Sequence, residues 1–268
     1  MTNDLPTLTE QLRRFRNAYG PSRAKEGRGV GGDVELLALP YLGRGPLAGE
    51  WAVRARSFDS LVARWLKRGG KRILDLGAGN GWLCYRVALR GHFPVAADIR
   101  IDNVDGLAAG AGYRTHLQSM FPRVAASFEA IPFAADSFDA AIFNASLHYT
   151  LDLECALREA IRVVVSGGGI FIMDSPFYRS EETGQRMVEE KLRTASRRFG
   201  EMAADLVGLP FIEFLTPQRL TKASAHLGME WHRHRVRYPL WYELRPLVAR
   251  VRRRRPPSRF DIWVTAVP

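Results

Sequence analysis

Three glycines, Gly77, Gly79 and Gly81, alternate with other residues directly after the apolar run 73–76. Glycines between a strand and a helix let the backbone approach a ligand that a Cβ atom would exclude, and the following helix offers unpaired N–H groups. A carboxylate, Asp98, follows 21 positions after Gly77 at the end of a second apolar run. Because a carboxylate can accept hydrogen bonds from both hydroxyls of a ribose, the spacing predicts a nucleotide site with Asp98 on the ribose.

The spacing of the glycines separates two classes of nucleotide ligand, the dinucleotides and the small adenosine-containing cofactors. A dinucleotide fingerprint has the form G-x-G-x-x-G/A, which places its third small residue at position 82 of this chain. Position 82 is Trp82, and the third glycine comes one residue earlier. The spacing therefore weighs against a dinucleotide.

Three later segments follow the glycine turn in order: SFEAIPF at 127–133, DSFDAAIFN at 136–144 and GGGIFIMD at 167–174. With the turn, they resemble the class I S-adenosylmethionine-dependent methyltransferases of small-molecule type. In that family they look like the adenine-contacting loop, the fourth strand and the glycine turn into the fifth strand. Four ordered motifs over 73–174 are far more specific than a single glycine loop.

The resemblance implies that the cofactor is S-adenosyl-L-methionine, with S-adenosyl-L-homocysteine as the product. Two positions depart from the family: Ser127 replaces an acid, so that adenine contact falls to backbone groups and Glu129, and Ser166 replaces a proline. The residues expected to bind the cofactor are Asp75, Gly77, Ala78, Gly79, Asn80, Gly81, Asp98, Ile99, Ser127, Phe128, Glu129 and Asn144.

Methyl transfer to a small-molecule acceptor asks mainly for in-line positioning, because the sulfonium is already an activated donor. For a hydroxyl acceptor, the candidate base is His148, just past the fourth strand, whose ordinary pKa suits that task. Tyr149 and Tyr178 are further catalytic candidates. The alternative for all three is that they form the pocket wall or pack elsewhere.

The net charge of +11 permits nucleic acid, anionic lipid or an acidic substrate as a partner. The densest basic run, 250–255, is predicted to be a solvated loop, since it has no interleaved aromatic residues. RNA methylation through this run remains one alternative function, and a protein that binds S-adenosylmethionine without transferring methyl groups is another. Tyr19, Arg54 and Arg56 are weaker candidates for binding the methionine carboxylate or an acidic substrate; packing or exposure is their ordinary interpretation.

The 268 residues, 46% of them hydrophobic, are enough for one domain with a sizeable core. No apolar stretch is long enough to cross a bilayer and the first residues do not form a secretion signal, so a cytoplasmic location is expected. Cys84 and Cys155 are isolated from each other, which predicts neither a disulfide framework nor a metal site. The oligomeric state and the identity of the acceptor stay open.

From residue 71 onward, short apolar runs alternate with helical segments, which predicts an α/β fold with a parallel sheet. The resemblance makes this a Rossmann-like, doubly wound sheet of seven mostly parallel strands with an antiparallel last strand. The predicted strands are 72–76, 94–98, 123–127, 138–143, 169–174, 229–237 and 260–267. Ligands of such sheets bind beyond the carboxyl ends of the strands. The residues at those ends are Gly77, Asp98, Ser127, Asn144 and Asp174.

The segments outside this sheet are predicted to be an N-terminal extension and a lid. Residues 1–70 form a helical extension and flap, and residues 71–268 form the methyltransferase domain, with a lid insertion at about 176–214 after strand five. Helices are expected at 5–18, 51–68, 181–199 and 217–226, and a mobile flap at 27–49.

Overall fold

A computed structural model describes residues 8–25 and 32–268 of the chain. In this part of the chain a seven-stranded sheet has the strand order 3-2-1-4-5-7-6. The strands are β1 (Arg72–Leu76), β2 (Phe93–Asp98), β3 (Arg123–Ala125), β4 (Phe138–Asn144), β5 (Val164–Met173), β6 (His232–His234) and β7 (Ile262–Ala266). The α-helices are α1 (Leu8–Lys25), α2 (Asp33–Ala38), α3 (Ala48–Trp65), α4 (Trp82–Ala88), α5 (Leu153–Val163), α6 (Glu181–Phe199), α7 (Ala203–Val207), α8 (Pro217–Ser224), α9 (Leu240–Glu243) and α10 (Arg245–Val251).

Strand β1 lies at the centre of the sheet, parallel to both β2 and β4. Its residues Ile73, Leu74 and Leu76 are almost completely buried, as expected for a parallel strand covered on both faces. Strands β1 to β5 are joined by parallel pairings, whereas β7 runs antiparallel between β5 and β6. The predicted Rossmann-like sheet with an antiparallel last strand is therefore confirmed.

Helix α5 shows how the sequence places the helices on this sheet. Asp152 caps its first turn, because its carboxylate accepts a hydrogen bond from the Cys155 N–H at 3.0 Å. The buried side chains recur at helical spacing and pack on the sheet face that carries Leu74. These buried residues are Leu153, Ala156, Leu157, Ala160 and Val163.

Several predicted boundaries are corrected by the structure. Strand β3 ends at Ala125, so that Ser127 lies past it, and β6 covers only His232–His234. Strand β5 starts at Val164, five residues before its predicted start, because the chain passes directly from α5 into pairing with Phe138 and then through an irregular register.

The predicted flap at 27–49 is wrong for part of its length. Residues 27–31 lie outside the described residues, but α2 occupies 33–38, and both Leu36 and Leu39 are buried in the main core cluster. Two leucines three residues apart were enough to anchor a short helix that glycine content alone did not predict. Arg86 fixes the segment further by donating hydrogen bonds to the Leu37 and Leu39 carbonyl oxygens.

The segment after β5 contains the predicted helix 181–199 as α6, followed by α7. Helix α7 packs against α1, and the apolar side chains between them form a separate small cluster. This cluster contains Phe15, Ala18, Leu206, Leu209 and Phe211. The insertion and the N-terminal helix thus form one layer.

No helix within 8–25 and 32–268 combines the length and the apolar content needed to span a membrane.

Candidate functional site

A cavity of about 940 Å³ opens at the carboxyl ends of the parallel strands. Its lining includes all five residues that the strand-end rule placed together, namely Gly77, Asp98, Ser127, Asn144 and Asp174. That prediction is confirmed. Phe15 and Phe211 also border the cavity, so the layer of α1 and the insertion forms part of its wall.

The turn after β1 requires glycine at each of its three glycine positions. Gly77, Gly79 and Gly81 have φ angles of +75°, +54° and +76°, a region that favours glycine. A Cβ atom on Gly77 would lie 2.3 Å from Ser146 Cβ, which is closer than two carbons can approach. At Gly77 the backbone therefore lies against Ser146 with no room for a side chain.

Asp98 lies at the end of β2, where its carboxylate holds the glycine turn in place. Its Oδ2 accepts the Gly79 N–H at 2.7 Å and its Oδ1 accepts the Arg100 N–H at 2.8 Å. Burial raises the pKa of Asp98 above its ordinary value, opposed by the Arg100 guanidinium and by these two N–H donors. Since a carboxylate offers roughly four acceptor positions, about two remain for a ligand.

The loop at 127–129 forms a second side of the cavity. The Phe128 ring packs edge-on against Phe143, with ring centroids 5.6 Å apart. Glu129 borders the cavity, but its Oε1 already accepts hydrogen bonds from Thr150 Oγ1 at 2.6 Å and from the Leu151 N–H at 3.0 Å. Part of the Glu129 carboxylate therefore holds the chain after β4. Ala78, Asn80 and Ile99 also line the cavity.

Three of the predicted site residues do not border this cavity. Asp75 is completely buried and turns toward α4, where its Oδ2 accepts the Cys84 S–H at 3.6 Å. Gly81 lies against the Phe121 ring. The Tyr178 hydroxyl accepts a hydrogen bond from Arg255 at 2.9 Å instead. Asp75 and Gly81 therefore face α4 and Phe121, and the Tyr178 hydroxyl is held by an arginine that lies 77 positions away in the sequence.

His148 and Tyr149 both line the cavity, as predicted. Burial, with added repulsion from Lys191 and Arg54, lowers the pKa of His148 to about 3. The expectation that His148 keeps an ordinary pKa is therefore wrong: its imidazole is neutral and weakly basic, and its Nδ1 has no hydrogen-bond partner among the described residues. The Tyr149 hydroxyl lies 3.2 Å from that of Tyr19.

Part of the cavity lining is rich in aromatic rings, which the sequence prediction did not bring together. We call these rings the aromatic wall; they belong to Trp51, Trp82, Trp241, Tyr242 and Phe260. Trp51 and Trp82 meet edge to face, with centroids 6.0 Å apart. Its members come from α3, α4, α9 and the segment before β7, and no local motif connects them. Of the weaker candidates, Tyr19 and Arg54 border the cavity, whereas Arg56 is exposed and does not.

Comparisons with known proteins find a methyltransferase domain in the part of the chain that contains the glycine turn and Asp98. Residues 74–172 match the family described as a methyltransferase domain. The chain is 36% identical over 105 residues to demethylmenaquinone methyltransferase of Mycolicibacterium paratuberculosis, covering 39% of this chain and 42% of that protein. It is 30% identical over 120 residues to the ubiquinone/menaquinone biosynthesis C-methyltransferase UbiE of Rhizobium meliloti, covering 43% of this chain and 46% of that protein.

The matching region spans less than half the length of these two curated relatives. Among solved structures, the chain is similar to Burkholderia thailandensis 1,6-didemethyltoxoflavin-N1-methyltransferase, which holds 1,6-didemethyltoxoflavin and S-adenosylhomocysteine. The TM-score is 0.59 at 17% identity, covering 100% of this chain and 93% of that one. At this identity the likeness shows a shared fold.

Proposed function

We propose that this chain, whose residues 74–172 match the methyltransferase domain family, is a class I S-adenosylmethionine-dependent methyltransferase that transfers a methyl group to a small-molecule acceptor. One observation carries the proposal. A single cavity of about 940 Å³ joins the glycine turn and Asp98 to the aromatic wall. A cofactor and an acceptor molecule can therefore meet in one partly enclosed space, as in-line transfer requires. The names of the similar proteins, which refer to menaquinone, ubiquinone and toxoflavin chemistry, support a small acceptor.

The described residues fit S-adenosylmethionine. The turn at Gly77 leaves no space for a Cβ atom, and Asp98 keeps acceptor positions for the two ribose hydroxyls. The buried Oδ1 of Asn144 has no hydrogen-bond partner within the described part of the chain. An amide oxygen at this place can accept from an ammonium group of the cofactor. Adenine would lie along 127–129 and Ile99, whereas Asp75 and Gly81 would support the turn from behind.

S-adenosylmethionine, when bound, supplies a methyl group on a sulfonium that is already activated for displacement. The side chains around it then have three tasks: to hold the acceptor in line, to exclude water and to manage any proton that leaves. The aromatic wall provides an apolar surface for the first two tasks. His148 has a pKa lowered to about 3, so we assign its neutral imidazole to hydrogen bonding of the acceptor and not to storing a proton. Tyr149 also lines the cavity, and its ring packs edge-on with Tyr19 and Phe211.

The other parts of the chain fit this function as supporting elements. We propose that residues 71–268 form the transferase domain and that the helical extension at 1–70 and the insertion at about 176–214 cover its cavity. The contact between α1 and α7 supports a joint cover formed by the extension and the insertion. A cytoplasmic location remains a prediction.

The basic run 250–255 takes no part in the proposed reaction. It does not border the cavity, and Arg255 is paired with Glu190 at 3.0 Å and with the Tyr178 hydroxyl. RNA methylation would instead require a strong loss of binding with rising salt concentration and with neutralisation of Arg252 to Arg254. Activity that is insensitive to salt would eliminate this alternative.

Titration calorimetry with S-adenosylhomocysteine tests the cofactor assignment. We expect the parent chain to bind it and Asp98→Ala to bind at least about tenfold more weakly, because hydrogen bonds to a charged group are lost. Asp139→Ala is the control, since Asp139 pairs with Arg72 at the amino ends of β4 and β1 and should leave binding unchanged. Equal binding by the Asp98 variant would contradict the ribose assignment. Transfer of a labelled methyl group into a small-molecule extract then tests the activity itself.

A further inference from the structure

Asp174, which follows β5, is a buried carboxyl group without an assigned task. It borders the cavity and is 6% exposed. Its Oδ1 accepts a hydrogen bond from Ser57 Oγ at 2.6 Å, whereas its Oδ2 has no hydrogen-bond partner in the described part of the chain. A buried polar atom without a partner is rare in a folded protein, because it loses water and gains nothing. The missing partner is therefore expected to come from a ligand.

The hydrogen bonds behind Asp174 fix its orientation. Ser57 Oγ lies 2.8 Å from the Tyr238 hydroxyl, and Tyr238 donates to the Phe260 carbonyl oxygen. The Ser57 hydroxyl therefore holds Asp174 Oδ1 in place and leaves Oδ2 as the oxygen that can accept a hydrogen bond from a ligand.

The surroundings of Asp174 limit the chemistry of the ligand. Arg54, the charged neighbour that acts most strongly on Asp174, places a positive charge beside the carboxyl group. Arg245 lies over the Tyr242 ring at 3.6 Å. The aromatic wall favours a flat apolar molecule that stacks or meets its rings edge-on.

We propose that Asp174 recognises the methyl acceptor: its Oδ2 accepts a hydrogen bond from an N–H or O–H group of a planar aromatic molecule held by the aromatic wall. This inference rests on the proposed function, since it assigns the acceptor half of the same cavity. It makes Asp174 a residue that touches substrate, with Ser57 and Tyr238 as positioning residues. The acceptor is thereby assigned to a chemical class, aromatic compounds that carry a hydrogen-bond donor.

A pair of probes that differ only in the donor tests this proposal. Binding of 2-naphthol and of 2-methoxynaphthalene, in which the hydroxyl is capped, is measured by calorimetry with S-adenosylhomocysteine at saturation. We expect the parent chain to prefer 2-naphthol by roughly tenfold, the effect of one hydrogen bond to a buried acceptor. Asp174→Ala should lose this preference. Asp174→Asn should keep it, because the amide can donate to Ser57 and still offer its carbonyl oxygen to the ligand.

Ser175→Ala is the matched control. Ser175 is the next residue, is also buried and has an unpaired Oγ, but it does not border the cavity. We expect it to keep the preference of the parent, and all three variants should bind S-adenosylhomocysteine like the parent. A parent chain that does not discriminate between the probes, or an Asp174→Ala variant that discriminates as the parent does, would overturn the proposal while the cofactor assignment stands. A parent chain that does not bind S-adenosylhomocysteine would remove the proposed function and this inference together.

Discussion

Asp75, beneath the glycine turn, is the carboxyl group through which pH should act most strongly on stability. It is completely buried between strands β2 and β4, and its Oδ1 has no hydrogen-bond partner in the described structure. Burial raises its pKa to about 8, opposed by the hydrogen bond from Cys84 and increased by the charge of Asp98. The folded protein therefore keeps Asp75 neutral at pH values where the unfolded chain ionises it.

The direction and size of the effect follow from this difference. Because the pKa of Asp75 is raised on folding, its contribution to stability is complete below about pH 4 and is lost as the pH rises toward 8. One pKa unit corresponds to about 1.4 kcal/mol, so the shift from 3.8 to about 8 amounts to roughly 6 kcal/mol in total. Of this, about 3–4 kcal/mol should be lost between pH 5 and pH 8.

Urea unfolding of the parent and of Asp75→Asn at pH 5 and pH 8 measures this loss. The asparagine has nearly the same shape and cannot ionise, so the free energy of unfolding of the variant should fall by several kcal/mol less over this interval. Glu201→Gln, at an exposed carboxylate, should follow the parent. If the parent and Asp75→Asn lost the same stability between the two pH values, Asp75 would not be held neutral and the reasoning would be refuted.

Two further substitutions test how the turn and a helix are built. Gly77→Ala places a Cβ atom 2.3 Å from Ser146 Cβ at a φ of +75°. We expect binding of S-adenosylhomocysteine, measured by calorimetry, to weaken at least about tenfold. Unchanged affinity would contradict the assignment of the glycine turn to the cofactor. Thr216→Ala removes the acceptor for the Arg219 N–H that caps α8 and should lower the free energy of unfolding by about 1 kcal/mol in urea; no change would show that the cap is dispensable.

The sequence predicted which strand-end residues meet at the cavity, because these residues lie close together along the chain. The apolar run of β1, the glycines after it and Asp98 at the end of β2 lie within 26 residues of one another. Parallel strands then bring their carboxyl ends to one edge without further information. The short strands were predicted less well. β3 and β6 each have three residues and lie at the edges of the sheet, where pairing on one side alone sets their length.

The side of the cavity that we propose for the acceptor could not be predicted in the same way, because the residues that form it are distant in sequence. Ser57 and Tyr238 are 181 positions apart, yet their hydroxyl oxygens lie 2.8 Å from each other. His148 shows a second cause of error: its residue type indicated a base, but its surroundings lower its pKa to about 3. Residue type gives the reference pKa, and only the packed structure gives the shift.

The proposed cofactor and acceptor sides of the cavity also differ in how many of their residues the family match covers. The family match covers residues 74–172, which contain the glycine turn, Asp98 and the loop at 127–129. Of the aromatic wall, only Trp82 lies inside that range; its other members lie at positions 51, 241, 242 and 260. Asp174 also follows the matched range, and its partners Ser57 and Tyr238 lie outside it. We therefore expect relatives that share the matched segment to share the cofactor, while the acceptor is chosen by α3 and by the chain between β6 and β7.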